Sequence, residues 1–229
     1  MENLSAVEFE RLVSNRGCMY GFLARIYRVE VDQELLDQMA KMDLSVDVDE
    51  HDISEGYRML KGFLGHLRES TLTDLAVEYA RIFLGAGSAR GEGAYPYESV
   101  YTSPKRLVMQ DARDQVLKIY REEWLDRAEE FHEPEDHLAF ELEFMAYLCQ
   151  KTTEALKAGD NGAALGYLEK QQDFLEKHLI PWVPAFCADV ERVAQGDFYK
   201  AVAKITVGYL GMEQDLMGEL MDEIQEKSS

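Results

Sequence analysis

The stretch SAVEFERLVSNRGCMYGFLARIYRV, residues 5–29, decides the fold class, because its apolar side chains recur every three or four positions. This rhythm is typical of an amphipathic helix and predicts a long first helix over residues 5–29. The same rhythm returns along most of the chain, up to residues 198–224. Short β-branched segments separated by turns, which would indicate a sheet, do not occur in the sequence. The sequence therefore predicts an all-α fold of roughly eight to ten helices.

Several later elements are located by residues that favour helix starts. Asp32 is suited to cap the second helix, and Thr71 or Thr73 is suited to cap the fourth. Helical spacing then resumes over residues 107–120. A further helix is predicted to carry Pro134 in its first turn, where the missing amide proton of proline is tolerated.

A stretch rich in glycine and proline interrupts the helical pattern over residues 85–103. It contains Gly85, Gly87, Gly91, Gly93 and Pro96. Because these residues cannot sustain a helix, we predict a long loop here that is exposed or poorly ordered and connects two helices. The whole chain, residues 1–229, is predicted to form one helical domain, with disorder allowed in its last few C-terminal residues.

The charge balance excludes some classes of partner. The chain has 24 basic and 44 acidic side chains, which gives a formal net charge of −20. Such a surface repels phosphate backbones and attracts cationic peptides, so nucleic acids are not expected partners. No run approaches the roughly 18 apolar residues that a membrane-spanning helix needs. Three widely spaced cysteines, and a first segment without the pattern of a signal peptide, favour a cytoplasmic location.

The string HEPEDH, residues 132–137, is similar to the zinc-protease signature but has the wrong spacing. That signature needs two histidines four residues apart on one uninterrupted helix. Here His132 and His137 are five residues apart, and Pro134 lies between them. His137 and Glu141 are four apart and could pair on one helix face, but a metal site would need a further ligand. We therefore predict no metal site, no catalytic residues and no enzymatic activity.

The glycines of the predicted loop also suggest nucleotide binding as an alternative. A dinucleotide fingerprint follows a strand and opens a helix. These glycines instead follow a predicted helix and lead into an aromatic segment. A flexible loop is the default interpretation. No cofactor is expected, and weak guanine nucleotide binding is kept as a minor expectation.

Aromatic side chains concentrate around this loop, at Tyr79, Phe83, Tyr95, Tyr97 and Tyr101. Such rings fit equally well into a buried core and into the wall of a peptide-binding groove. Glu98, which lies among them, could accept hydrogen bonds from a guanidinium group. The residues alone leave these two alternatives open.

Several motifs in a fixed order give the chain a resemblance to a known family. They are Glu78-Tyr79 with Phe83-Leu84-Gly85, Pro96-Tyr97-Glu98-Ser99-Val100-Tyr101, Glu133-Pro134 with Asp136-His137-Leu138, Glu141-Leu142-Glu143-Phe144-Met145, and a later group of Phe174-Leu175, His178-Leu179, Trp182-Val183-Pro184 and Phe186. In this order they resemble the TorD/DmsD family of cytoplasmic maturation chaperones for molybdenum-cofactor oxidoreductases. Two departures are that Gly85-Ala86-Gly87 lacks a proline common in that loop and that Tyr95 stands where a second proline often precedes Pro96.

The resemblance implies a fold, a function and partners. The fold would be all-helical, as a monomer or a domain-swapped homodimer. The protein would bind the twin-arginine leader, the body, or both, of a molybdenum-cofactor oxidoreductase of the DMSO- or TMAO-reductase type, before cofactor insertion and export. One open alternative is an assembly chaperone for a non-exported enzyme similar to respiratory nitrate reductase. A lower-ranked alternative is a nucleotide- or metal-dependent hydrolase.

The resemblance also implies a set of peptide-binding residues. Tyr79, Phe83 and Tyr101 are added from the concentration of rings around the loop, and Glu141 is added because it lies one helical turn beyond His137. The full set is Tyr79, Phe83, Tyr97, Glu98, Ser99, Tyr101, Pro134, Asp136, His137 and Glu141.

Overall fold

Helices make up most of the computed structural model, which describes residues 5–44, 50–87, 93–125 and 132–227. In these ranges ten α-helices follow one another, and the eighth continues into a π-helical turn at Leu175–Leu179. The α-helices are α1 Ala6–Arg28, α2 Gln33–Ala40, α3 His51–Leu64, α4 Thr71–Phe83, α5 Glu98–Thr102, α6 Asp111–Glu122, α7 Leu138–Lys157, α8 Asn161–Phe174, α9 Val183–Val193 and α10 Asp197–Lys227. The predicted all-α fold is confirmed. The expectation of disorder at the C-terminus falls on residues 228–229, which lie outside the described residues.

The long helices pack around one connected cluster of buried apolar side chains. α1 lies along α7, and α10 lies along α3 and also contacts α8 and α9. Trp182, Tyr20, Tyr27 and Tyr199 are the largest side chains with no exposure to solvent. Because burying one large apolar side chain contributes roughly 1.5–3 kcal/mol, this cluster is the main source of stability of the fold.

A buried ion pair ties α1 to α10. Arg16 donates from Nε to Glu213 Oε1 at 2.8 Å and from Nη2 to Glu213 Oε2 at 2.7 Å. The same Nη2 also donates to Oε1 of Gln171 on α8, at 2.8 Å. Two parallel, charge-assisted hydrogen bonds fix both distance and orientation. The pair therefore sets the position of α10 against α1.

Helix starts agree with the sequence only in part. The Asp32 carboxylate accepts a hydrogen bond from the Leu35 amide at 2.8 Å, which confirms it as the cap of α2. The predicted caps of α4 are wrong, because α4 begins at Thr71 itself and follows Ser70. The Thr71 hydroxyl instead accepts from the backbone amide of Arg68 at 2.8 Å.

The helix predicted to resume at Leu107 begins four residues later, at Asp111. The backbone at Arg106 and at Met109 is left-handed, with φ of 53° and 57°. L-residues adopt this conformation one at a time and cannot propagate a right-handed helix through it. The apolar residues between them therefore form a loop, and the periodicity misplaced the helix start.

Pro134 lies before α7 and not in its first turn. α7 begins at Leu138, whose amide donates to the carbonyl oxygen of Pro96 at 2.8 Å. The carbonyl of Asp136 accepts from the amide of Glu98 at 3.0 Å. Because these backbone groups are bonded to another segment, the residues around Pro134 do not join the helix.

The loop predicted over residues 85–103 is only partly a loop. Gly85 and Gly87, with φ of 68° and 72°, form a left-handed turn after α4, as glycine allows. Residues 88–92 lie outside the described residues. The expectation of an exposed connection is wrong for Glu98–Thr102, which form the short helix α5 and are mostly buried. Contacts with the segment before α7 stabilise this helix.

Candidate functional site

The two segments that the resemblance emphasises, residues 96–101 and 133–137, lie side by side. Tyr97 and His137 form an isolated antiparallel bridge, and their rings meet edge to face with centroids 5.1 Å apart. Six of the predicted residues are therefore neighbours in space, although 35 or more positions separate the two groups in sequence. They are Tyr97, Glu98, Ser99, Pro134, Asp136 and His137.

Asp136 holds the N-terminus of α5 from outside that helix. Its carboxylate oxygen Oδ2 accepts from the backbone amide of Ser99 at 2.9 Å, and its carbonyl accepts from that of Glu98. The Asp136 side chain is fully buried. The N-terminal amides of a helix need such an acceptor, and a negative charge there is favourable. Asp136 thus orients α5.

His137 is the N-cap of α7. Its ring nitrogen Nδ1 accepts from the amide of Ala139 at 3.1 Å, which places the proton of the neutral ring on Nε2. Burial lowers the pKa of His137 to about 3, and the charge of Arg28 contributes in the same direction. The imidazole is therefore neutral near pH 7 and has a structural role at the start of the helix.

Behind this contact lies a buried group of acids. Glu98 Oε2 lies 3.1 Å from Nδ1 of His178, which is on the π-helical turn. Glu141 Oε2 accepts from the indole Nε1 of Trp182 at 3.2 Å. Burial raises the pKa of Glu141 well above its usual value, and the carboxylates of Glu98 and Asp136 raise it further. These surroundings favour the neutral form of Glu141 beside Glu98.

Two tyrosines beside this buried group remain partly accessible. The Tyr97 hydroxyl donates to Glu133 Oε2 at 2.5 Å. The Tyr101 hydroxyl donates to Oδ2 of Asp189, on α9, at 3.1 Å. Burial raises the pKa of both hydroxyls, and the carboxylates they contact raise it further. Each hydroxyl therefore remains protonated, and each tyrosine is fixed beside a carboxylate.

Tyr79 and Phe83 lie in the aromatic core. Their rings are 4.9 Å apart, and both stand within about 6 Å of Tyr199. The Tyr79 hydroxyl donates to the backbone carbonyl of Tyr27 at 3.0 Å. Of the two alternatives that the sequence left open, the structure places these two rings in the core. Among the ten predicted residues, the half-buried ones are Tyr97, Tyr101 and Pro134.

Sequence reasoning missed four residues that take part in this arrangement. His178 and Trp182 stand in motifs that carry the resemblance, so that signal could have pointed to them. Asp189 has no local signal, because it meets Tyr101 from 88 positions away. Tyr120 also lacks a local signal in the sequence. Its buried hydroxyl has no hydrogen-bond partner among the described residues. Burial raises the pKa of Tyr120, and the charge of Glu141 raises it further.

The described residues offer neither a metal site nor a membrane-spanning helix. Over residues 5–44, 50–87, 93–125 and 132–227, no group of three histidine, cysteine or acidic side chains is placed to hold a metal ion. Among the helices in those same ranges, none combines the length and the apolar character that crossing a membrane requires. Gly85 and Gly87 follow the end of helix α4, whereas the glycines of a dinucleotide fingerprint follow a strand.

Comparison with known proteins points to one family. The family model described as nitrate reductase delta subunit matches residues 50–188. The chain is 27% identical to the chaperone protein TorD of Vibrio cholerae serotype O1, over 94% of this chain and 98% of that protein. It is 26% identical to the TorD chaperone of Shewanella pealeana, over 91% and 92% of the two chains. It is 30% identical to that of Photobacterium profundum, over 66% and 68%. The family model, described as nitrate reductase delta subunit, covers more than half of the chain, and the relatives named above are TorD chaperones. This protein therefore belongs to the TorD family.

Proposed function

We propose that this protein is a maturation chaperone, and not an enzyme, that binds the N-terminal twin-arginine leader of a molybdenum-cofactor oxidoreductase. The relatives that are named as chaperones support the class of function. The motifs that carry the resemblance support the client and its leader as partners. Binding the leader would hold the client back from export until its cofactor has been inserted.

The observation that carries the proposal is the pair of tyrosine–carboxylate contacts on α5. Tyr97 precedes α5 and is bonded to Glu133, whereas Tyr101 is in its last turn and is bonded to Asp189. A guanidinium can lie over an aromatic ring while it donates to a carboxylate. Four helical residues rise about 6 Å, which is within reach of two long side chains on adjacent arginines.

The buried acids support this surface indirectly. Asp136 and Glu141 have no exposure to solvent, so a peptide on the surface does not touch them where they lie. Asp136 instead fixes the start of α5, and Glu98 anchors the same helix to His178. In this proposal these residues position Tyr97 and Tyr101 for the leader.

Titration of the protein with two synthetic peptides tests the proposal. One peptide has two adjacent arginines followed by an apolar segment, and the other has two glutamines in their place. A hydrogen bond to a charged group contributes about 1.5–3 kcal/mol, so the arginine peptide should bind at least about tenfold more tightly. Equal affinity for the two peptides would refute leader recognition through the arginines.

A matched pair of variants tests the location. Glu133→Gln removes a carboxylate beside Tyr97 and should weaken binding of the arginine peptide several-fold. Glu55→Gln makes the same change of charge on α3, where Glu55 pairs with Arg58 at 2.7 Å, and should leave affinity almost unchanged. If both variants bind like the unaltered protein, the contact at Tyr97 is not part of the site.

A second candidate function is assembly of a nitrate-reductase-like enzyme that is not exported. The description of the matching family model, nitrate reductase delta subunit, favours it. The two functions differ in what is recognised. Stable binding to a leaderless catalytic subunit of such an enzyme, with no preference for the arginine peptide over the glutamine peptide, would support the second function.

A further inference from the structure

Arg106 already places a guanidinium group on one of the two tyrosine–carboxylate contacts. Its Cζ lies 5.3 Å from the centroid of the Tyr101 ring. Its Nη2 lies 3.5 Å from Oδ2 of Asp189, the oxygen that also accepts from the Tyr101 hydroxyl. Aromatic face and carboxylate are thus used together, as expected for recognition of an arginine.

The aromatic half of this contact is rigid and its arginine is exposed. The Tyr101 ring packs against Trp182 and Phe186, with centroids 5.6 Å and 6.1 Å away. The Arg106 side chain is 63% exposed and that of Asp189 is 23% exposed. An arginine from another molecule could therefore reach the place that Arg106 fills, without any change in the core.

The loop holds Arg106 there at a conformational cost. With φ of 53°, Arg106 has a left-handed backbone, which is unfavourable for a residue with a side chain. Its amide donates to the carbonyl of Ser103 at 3.1 Å, and Gln110, further along the loop, donates from its amide to the Ser99 hydroxyl at 3.0 Å. The loop is thus anchored to Ser103, directly after α5, and to Ser99 within it, so a competing arginine would displace only the side chain of Arg106 and leave the loop backbone in place.

We propose that Tyr101 and Asp189 form a guanidinium subsite that the chain's own Arg106 occupies, and that an arginine of a bound peptide displaces Arg106 from it. The identity of that peptide as a twin-arginine leader rests on the proposed function, whereas the subsite itself rests on the contacts of Arg106. Occupation by Arg106 reduces affinity for every arginine peptide, so that only peptides with further favourable contacts bind tightly.

Two variants that remove the same charge from adjacent positions provide the first test. Arg106→Ala uncovers the Tyr101 ring and Oδ2 of Asp189, whose Oδ1 still accepts from Arg192 at 2.9 Å. The variant should tighten binding of the two-arginine peptide by about three- to tenfold, the range expected for one exposed ion pair and one cation–π contact. Lys105→Ala removes an equal charge from the exposed neighbouring residue and should have a clearly smaller effect. Asp189→Asn should weaken binding. Equal affinities of the Arg106 and Lys105 variants would overturn the proposal.

A second measurement does not depend on leader binding. In an NMR spectrum of protein labelled at its arginine side chains, the Nε resonance of Arg106 is shifted by the Tyr101 ring beside it. Addition of N-acetyl-arginine amide should move this resonance toward that of a solvent-exposed arginine, whereas N-acetyl-lysine amide should have much less effect. An unchanged Arg106 resonance would overturn the subsite.

The two measurements separate failure of the inference from failure of the proposed function. If the two-arginine peptide does not bind but the arginine amide displaces Arg106, leader recognition is wrong and the subsite stands. If the peptide binds with equal affinity to the Arg106 and Lys105 variants, leader recognition stands and the subsite is wrong.

Discussion

At the scale of single residues, Asp136 makes two acceptor contacts at the start of α5, one from its side chain and one from its carbonyl. A helix of five residues is too short to persist without such partners. The consequence is that a buried carboxylate, which no peptide on the surface touches, determines where Tyr97 and Tyr101 lie.

Asp136→Ala should therefore lower both the stability of the protein and its affinity for the arginine peptide. Loss of a capping acceptor costs about 0.5–2 kcal/mol of stability. Asp136→Asn keeps an oxygen that can accept from the Ser99 amide, and should retain most of both properties. Denaturant unfolding and peptide titration on the same variants provide the comparison. If the Asp136→Ala protein is destabilised but binds the peptide with full affinity, Asp136 stabilises the fold without influencing the binding surface.

The raised pKa of Glu141 predicts a specific dependence of stability on pH. Above about pH 4.5 the unfolded chain releases this proton while the folded protein retains it, so the contribution of Glu141 to stability falls as pH rises, by up to about 1.4 kcal/mol per pH unit. Glu141→Gln keeps a neutral side chain and does not titrate. Relative to the unaltered protein, the variant should gain stability as the pH rises above about 4.5. A difference independent of pH would show that Glu141 is ionised in the folded protein.

The lowered pKa of His137 predicts the opposite effect, a loss of stability as the pH falls. Its folded pKa of about 3 lies below the usual 6.5, so the unfolded chain takes up a proton first and stability falls as the pH drops from about 6.5 toward 3. Asparagine is also a good N-cap residue and does not titrate. The stability of the unaltered protein relative to His137→Asn should therefore decrease on acidification. Unfolding curves of both proteins across this range measure the change, and parallel curves would contradict it.

At the scale of helices, the Arg16–Glu213 pair should dominate the association of α1 with α10. Arg16→Met leaves the buried Glu213 carboxylate without its partner, which costs about 3–5 kcal/mol. The double variant Arg16→Met/Glu213→Leu removes both charges and should recover most of that loss. Denaturant unfolding of the two single variants and the double variant gives the coupling between the residues. Additive losses would mean that the pair is not coupled as its geometry indicates.

The helices also differ in how well they could be predicted from the sequence. α1 and the cap at Asp32 follow from apolar periodicity and from capping chemistry, both of which are local. α5 could not be predicted, because its N-terminus is satisfied by Asp136, 37 positions away from Ser99. The start of α6 was misplaced for another reason. Leu107 and Met109 have the apolar character of a helix face, but they are exposed on a loop.

The candidate site, too, could be predicted only in part from the sequence. The motifs around Tyr97 and Asp136 were found from their order along the chain, and the structure brings them together. The burial of Asp136 and Glu141 could not be read from charge, since acidic side chains are usually exposed. Asp189 was missed because only the packing of α9 against α5 brings it to Tyr101.

At the scale of the whole molecule, the net charge of −20 predicts how binding of the arginine peptide depends on salt. Screening should weaken the attraction at high ionic strength, while burial of the apolar segment persists, so affinity should fall but not vanish. Isothermal titration at low and high ionic strength measures this. The glutamine peptide is the control and should show little dependence on salt. Affinity of the arginine peptide that did not change with salt would contradict an electrostatic contribution.

The π-helical turn at Leu175–Leu179 determines which deletions the arrangement tolerates. A π turn holds one residue more than the α-helical turn it replaces, and the chain leaves both kinds of turn in nearly the same orientation. Deleting one residue within Leu175–Leu179 would therefore restore an α-helical turn and keep Trp182 beside Glu141. Deleting one residue from the α-helical part of α8 would instead rotate the following chain by about 100° and turn Trp182 away from Glu141.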